Sequence, residues 1–421
     1  MIPVAARPTG RDLARQTFRR VQRHFSPAVA LAGKFAGQGS VEEAASGCEI
    51  TLSDGRTMLD FGSYAVTLLG HRHPAVTAAV RAQLDAMPVS SRSLVNPVAA
   101  AAAERLADHL GGRLKRVYLG VNGCDAVEVA VKLARLATGR PRVLAVNGAF
   151  HGKSMGALAL THHERFRAGL EPLLAYASHL DTGDPEAVAR ECAAGDVAAV
   201  VFEPIQGENG VMPLDTAVLA RWCEDAHAAG AFAVADEIQC GLRRAGERSL
   251  ALHASLPVDA VLLGKPLGGG VVPLSAAVCS DELYRPLLDD PFRHSATFAG
   301  QPLCAAAVPA ALTAIEDLAD QGAAVSAWMA AGLAELMRAH PGAVTAIRGR
   351  GLLWGVDFAS KELSGEVQIG LARRGLLVSP CLSRPETLRL LPPLIATRRE
   401  VDRALDALTS AVEAAEAEVA R

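Results

Sequence analysis

The chain has 421 residues, of which 50% are hydrophobic, 21% charged and 4% aromatic. That apolar fraction excludes a disordered or low-complexity body, and the length allows two or three domains with substantial cores. A net charge of −3 and a pI near 6.5 give no electrostatic footprint for nucleic acid or an acidic membrane surface.

The first 25 residues carry six arginines and one acid, a weak likeness to an organelle transit peptide. Leu13, Phe18, Val21 and Phe25 recur there at near-helical spacing, which predicts instead a surface helix docked on the fold. Asn96 and Pro97 open a helix through Leu110 that Gly111 stops. A second helix over 124–138 ends at Gly139, and a third over 216–229 ends at Gly230. Between and after them, short apolar runs at 116–119, 142–146, 197–203, 231–236, 260–263 and 275–279 read as buried parallel strands. This alternation predicts an α/β domain with a mainly parallel sheet over residues 56–310. Beyond it come a long alanine-rich helix, an apolar stretch at 344–358, a helix ending at Gly375, a strand at 388–391 and a last helix from Arg398. Residues 311–421 read as a smaller α+β domain, with residues 1–55 packing against it.

Eight cysteines are scattered without a Cys-x-x-Cys pair, as expected of free thiols in a reducing cytoplasm, and no histidine cluster has metal-ligand spacing. No apolar run approaches the roughly 18 residues of a membrane span. Of 42 basic residues only six are lysines: Lys34, Lys115, Lys132, Lys153, Lys265 and Lys361. A lysine can lose its proton and attack a carbonyl, which arginine cannot do.

One of the six stands in an unusual place. The run 231–236 stays apolar until it ends in Asp236 and Glu237. The run 260–264 ends in Lys265, followed by Pro-Leu-Gly-Gly-Gly. Ligands collect at the carboxyl ends of parallel strands, so a carboxylate and an amine are expected in one crevice. Gly120-Val-Asn-Gly-Cys124 is a tight turn into a helix, where free N–H groups and the helix dipole favour a phosphate. Carboxylate, amine and phosphate cradle together suit pyridoxal phosphate.

The chain resembles the class III, or ω-amino-acid, aminotransferases of fold type I over nearly its whole length. The stretches that carry the resemblance are Leu69-Gly-His-Arg-His-Pro74, Phe150-His-Gly-Lys-Ser154, Phe202-Glu-Pro-Ile-Gln-Gly-Glu208, Asp236-Glu-Ile-Gln239, Gly264-Lys-Pro-Leu-Gly-Gly-Gly270, Thr297-Phe-Ala-Gly300, Arg348-Gly-Arg-Gly-Leu352 and Leu388-Arg-Leu-Leu-Pro-Pro393. The putrescine aminotransferases look nearest, through 149–154 and the Asp290-Pro-Phe-Arg-His294 stretch.

The resemblance implies a pyridoxal-phosphate enzyme in which Lys265 forms the Schiff base and shuttles the proton, and Asp236 pairs with the pyridinium nitrogen. It implies that Gln239 reaches the ring hydroxyl, that Phe150 stacks on the ring, and that Glu203, His151 and Ile238 shape its surroundings. Gly123 and Cys124 would hold the phosphate, completed by Thr297 of a neighbouring subunit, so a homodimer is implied. Arg389 would clamp the carboxylate of a 2-oxo acid such as 2-oxoglutarate, with Glu208 pairing with it when the amine donor lacks a carboxylate there. Tyr64 would line the pocket for the donor's distal end, with Lys153 nearby.

Several positions depart from the family pattern. Cys124 removes a hydroxyl from the phosphate turn, Cys240 replaces a threonine or serine, Arg243 takes a glycine's place, and Pro266 follows the lysine. No catalytic group is lost, and the departures point to a divergent branch, with specialised biosynthesis as its expected setting. The expected reaction is ping-pong transfer from a diamine or ω-amino acid to a 2-oxo acid. An ornithine- or acetylornithine-type donor and a racemase or aminomutase on the same fold stay open as alternatives.

Overall fold

Runs of alanine, valine and leucine, too short for helices and apolar on both faces, are stable only between two layers of helix. In the computed structural model, which describes residues 9–419, they form one seven-stranded sheet. Its order is Arg116–Gly120, Ser275–Cys279, Ala260–Leu263, Phe232–Asp236, Val197–Phe202, Arg142–Val146 and Ala177–Leu180. The last five are mutually parallel. The protein therefore has a mixed, mainly parallel α/β sheet, as the resemblance to fold type I implies. Ser275–Cys279 was expected to be parallel as well, but it runs antiparallel to both neighbours. The connection from Leu263 to Ser275 holds only the 3-10 turn Lys265–Gly268, which is too short for a crossover helix. Ala177–Leu180 has no counterpart in the sequence reading, because Ser178 and His179 break the apolar run that marks the other strands.

The helix Gly123–Thr138 packs on this sheet through Ala126, Val127, Ala130, Leu133 and Ala134. The Asn122 side chain caps it by accepting the Asp125 N–H, and Gly139 closes it at φ 69°, a left-handed conformation that glycine adopts without steric cost. Pro97–His109 is capped by Asn96 in the same way, its side chain accepting two N–H groups.

Both chain ends contribute to the smaller sheets. The N-terminal strands Glu42–Ser46, Glu49–Leu52 and Thr57–Asp60 are extended by Leu376–Leu377, which runs parallel to Thr57–Asp60. A second sheet joins Val344–Arg350, Leu353–Phe358, Thr387–Leu390 and Ser379–Pro380. The apolar stretch at 344–358 is thus two antiparallel strands turning at Gly351, whose φ is 61°. The alanine-rich helix is broken into Ala307–Asp317 and Ala319–Ala339. Among the described residues no single helix is long and apolar enough to cross a membrane.

The N-terminal helix is Gly10–His24, and residues 1–8 of the expected N-terminal segment lie outside the described residues. Ala14 is its buried residue, and Phe18 and Val21 border an apolar groove with Leu52 and Met58. Phe25 lies beyond the helix and is 82% exposed, so it does not belong to the docking face.

One buried arginine ties the large sheet to the rest of the fold. The Arg244 guanidinium donates to the carbonyls of Leu352 (3.2 Å), Pro392 (2.7 Å) and Ala65 (3.5 Å). Burial pushes its pKa down to about 9. The Ala65 contact secures a turn in which Ser63, Tyr64 and Ala65 all have positive φ, at 43°, 49° and 67°. Three such non-glycine residues are costly, and Asp60 supports them from the other side. Its carboxylate accepts the Gly62 N–H (2.9 Å) and the Ser63 hydroxyl (2.5 Å). Arg244→Met is expected to cost about 2 kcal/mol, since it strands buried carbonyls. Urea unfolding measures this, and a loss below about 0.5 kcal/mol, the range of ordinary surface changes, would contradict the bracing role.

Candidate active site

Register decides what meets at the sheet's carboxyl edge. Val234 lies opposite Ala260 and Asp236 opposite Leu262 in a parallel pair, so both strands end at one level. Lys265 follows three residues beyond Leu262, in a turn that gives it a φ of 39°. Gly264 lets that turn lie close to the next loop, because a Cβ there would sit 3.1 Å from Ile238 Cγ2. Lys265, Asp236, Ile238 and Gln239 line a cleft of about 280 Å³. Its other walls are Asn122, Gly123 and Cys124 at the helix start, Phe150 and His151 after the strand Arg142–Val146, and Glu203 after Val197–Phe202.

Asp236, His151 and Glu203 are buried in the wall of the cleft. Asp236 Oδ2 lies 2.7 Å from His151 Nδ1, and Asp236 Oδ1 accepts the Ile238 N–H at 3.1 Å. Burial alone would lower the His151 pKa, but the hydrogen bond to Asp236 and its charge raise it. Glu203 accepts the N–H groups of Phe150 (2.9 Å) and Gly207 (3.4 Å). Burial raises its pKa to about 7. Burial also lowers the Lys265 pKa, against the pull of Glu208, which favours the neutral amine needed for attack on a carbonyl. Glu237, beside Asp236 in sequence, is used elsewhere: it accepts from Ser249 and from the Leu250 and Ala251 N–H groups.

Beside the cleft lies a second buried group. Arg389 is 0% exposed and sits in the strand Thr387–Leu390. Its Nη1 donates to Glu208 Oε1 at 2.7 Å and to Gln239 Oε1 at 2.9 Å. Glu208 Oε2 accepts the Leu382 N–H at 3.0 Å. Burial alone would raise the Glu208 pKa, but Arg389 brings it below the ordinary value. Arg389 Nε and Nη2 have no hydrogen-bond partner among the described residues. A buried guanidinium with an open edge is suited to a carboxylate.

Three positions singled out in the sequence do not line the cleft. Thr297 is exposed, and its carbonyl accepts from Arg92 (3.0 Å) and Gln301 (2.9 Å). Tyr64 is 54% exposed on the positive-φ turn. Lys153 is exposed, with its amine 4.4 Å from the Phe166 ring centre and 5.8 Å from that of Phe150. The Leu382 N–H and Arg244 went unnoticed in the sequence. A backbone donor leaves no sequence signal, whereas the doubled Arg243-Arg244 just after Asp236–Gln239 was a usable one.

The class III aminotransferase family model matches residues 37–412, and so includes every element of this cleft. The chain belongs to the class III aminotransferases. It is a pyridoxal-phosphate-dependent enzyme of that family. Among solved structures it is similar to an ornithine aminotransferase of Toxoplasma gondii, with 28% identity, a TM-score of 0.88 and 96% of each chain covered. An amine transaminase from an uncultivated Pseudomonas species is also 28% identical, with a TM-score of 0.81, over 89% of this chain and 95% of that one. An S-selective transaminase from Arthrobacter sp., at 23% identity and a TM-score of 0.86, shares the fold.

The aminotransferase's cleft fits this cofactor on its own geometry. The helix start at Gly123 and Cys124 offers first-turn N–H groups, which have no intrahelical partners. Gly123 is needed there, because a Cβ would stand 3.2 Å from Ile238 Cγ2. The imidazole of His151 holds Asp236 at the far end, and Lys265 stands between the carboxyl ends of two strands.

The Glu203 carboxyl yields a pH dependence. Its folded pKa, about 7, lies above the ordinary 4.5, so between these values the folded state binds the proton and the unfolded chain does not. Its contribution to stability is therefore present below about pH 4.5 and is lost as pH rises towards 7. In the cofactor-free protein, Glu203→Gln is expected to flatten that part of the stability profile. An unchanged slope in urea unfolding between these pH values would contradict this.

Proposed function

We propose that this aminotransferase moves an amino group from a diamine or ω-amino acid to 2-oxoglutarate by a ping-pong mechanism. The observation that carries the reading is the buried Glu208–Arg389 pair, 2.7 Å apart, beside the cleft. A site that must take a donor without a carboxylate at that point, and then an acceptor with one, needs a cation that can be neutralised. Glu208 neutralises Arg389 in the first half-reaction and withdraws in the second.

Pyridoxal phosphate, when bound, supplies an electron sink for charge developing at the substrate carbon. The chain's own groups do the rest. Lys265 would hold the cofactor through its amine and, freed of it, would carry the proton away from the substrate carbon through Nζ. Asp236, steadied by His151, would keep the ring nitrogen protonated. Phe150 and Ile238 would pack against the ring, and Glu203 fixes the Phe150 backbone. The Gly123 and Cys124 N–H groups would hold the phosphate. Arg389 orients the acceptor's carboxylate through two parallel N–H donors.

The exposed Thr297 supports a homodimer in which the partner subunit's Thr297 completes the phosphate site. Tyr64 borders the donor's distal end, and Lys153, held over Phe166, stands further out. Eight unpaired cysteines suit a cytoplasmic setting. The likeness to an ornithine aminotransferase over 96% of the chain supports ornithine as a second donor candidate. The Arg389 clamp favours transfer to an oxo acid over racemisation or mutase chemistry, which needs no such co-substrate.

Putrescine, ornithine and 4-aminobutyrate, each assayed with 2-oxoglutarate, test the donor class. A diamine or ω-amino acid is expected to be turned over, and dependence on an α-amino donor alone would overturn the reading. Arg389→Gln is expected to raise KM for 2-oxoglutarate about 100-fold, equivalent to the roughly 2.7 kcal/mol of a charged bidentate contact. KM for a diamine should stay within about threefold. Equal effects on both would contradict the clamp.

A further inference from the structure

Arg389 Nη1 is shared by two acceptors, Glu208 Oε1 at 2.7 Å and Gln239 Oε1 at 2.9 Å. An arginine can only donate, so the Gln239 atom facing it is the amide oxygen, and Nε2 donates to Glu208 Oε1 at 3.4 Å. The amide is confined in this pose. A Cβ on Gly207 would fall 1.8 Å from Gln239 Oε1, so the glycine leaves space that the amide fills. All three side chains are buried.

From this arrangement we infer that Gln239 is the positioning residue of the carboxylate clamp. It holds Arg389 by Nη1 whether or not Glu208 is paired, and so presents the unpartnered Nε–Nη2 edge to the incoming carboxylate. The inference rests on the proposed reading of Arg389 and adds a component to it. Two acceptors on one nitrogen divide the work. When the charged acceptor withdraws, the repulsion towards the substrate carboxylate goes with it. The neutral acceptor remains, and the guanidinium stays aimed instead of relaxing into a buried, unsatisfied state. The amide nitrogen is left for the cleft and Glu208, so one side chain links the clamp to the cofactor end.

The test uses the holoenzyme and glutarate, a dicarboxylate with no reactive carbonyl, with binding followed by calorimetry. Gln239→Met, nearly isosteric but unable to accept from Arg389, is expected to weaken glutarate about tenfold, or about 1.4 kcal/mol. Glutarate affinity should fall by a larger factor than KM for a diamine donor rises, a split that a general loss of structure does not produce. Gly207→Ala, which displaces the amide and keeps every charged group, is expected to weaken glutarate in the same direction and serves if Gln239→Met does not fold. In a Glu208→Gln background, where Gln239 is the remaining original acceptor, the effect of Gln239→Met should grow. Glutarate affinity within twofold of the parent in the folded, cofactor-loaded Gln239→Met protein would overturn the inference. Arg389→Gln separates the two failures. If it leaves glutarate binding intact, the clamp reading itself is wrong; if it abolishes binding while Gln239→Met does not weaken it, only the role of Gln239 falls.

Discussion

The parallel pairing of Phe232–Asp236 with Ala260–Leu263 is the constraint on which the site depends. It brings a carboxylate and an amine, 29 residues apart in sequence, to one edge of the sheet. A slip of one residue in either strand would turn Asp236 into the opposite helical layer, because side chains alternate between faces. The register is fixed by burial of both strands, of which only Phe232 is half-buried, since any other alignment would expose apolar side chains or bury the flanking polar ones. The helix Gly123–Thr138 packs on the face that presents Val234, Ala260 and Leu262, which brings its start to the same edge.

Electrostatics then divide the neighbourhood into two regions. At the cofactor end, Asp236, His151 and Glu203 form a buried set in which one hydrogen bond raises the imidazole and burial raises the Glu203 carboxyl. Beside the cleft, Arg389 and Glu208 form a pair whose members are 181 residues apart. A buried ion pair is poor evidence of stability, because desolvation offsets the attraction. Its retention beside a cleft is better explained by a function in which the pair opens. The unpartnered Nε–Nη2 edge of Arg389 fits that explanation, while the Leu382 N–H holds Glu208 beside the second small sheet until the pair opens.

Much of this was legible in the sequence because it is local. Strand ends, glycine stops and asparagine caps each act over a few residues, so the α/β layering and the strand-end positions of Asp236 and Lys265 could be read directly. The direction of Ser275–Cys279 was not, because an apolar run is the same in either sense and only the short connection fixes it. Ala177–Leu180 was hidden by its polar residues. Arg389 lies in Leu-Arg-Leu-Leu, which reads as an ordinary strand, and what gives it meaning is a glutamate far away in the chain. Bracing by Arg244 acts through carbonyls, and backbone acceptors have no identity in a sequence.

The central claim is that the Asp236–Lys265 edge is where pyridoxal phosphate is held, by a covalent bond to Lys265. Reducing the holoenzyme with borohydride fixes that bond, and peptide mapping by mass spectrometry then locates it. The account predicts the cofactor's mass on the peptide containing Lys265 and on no peptide carrying the other five lysines. A label on a different lysine, or a loaded protein that yields no labelled peptide, would contradict it.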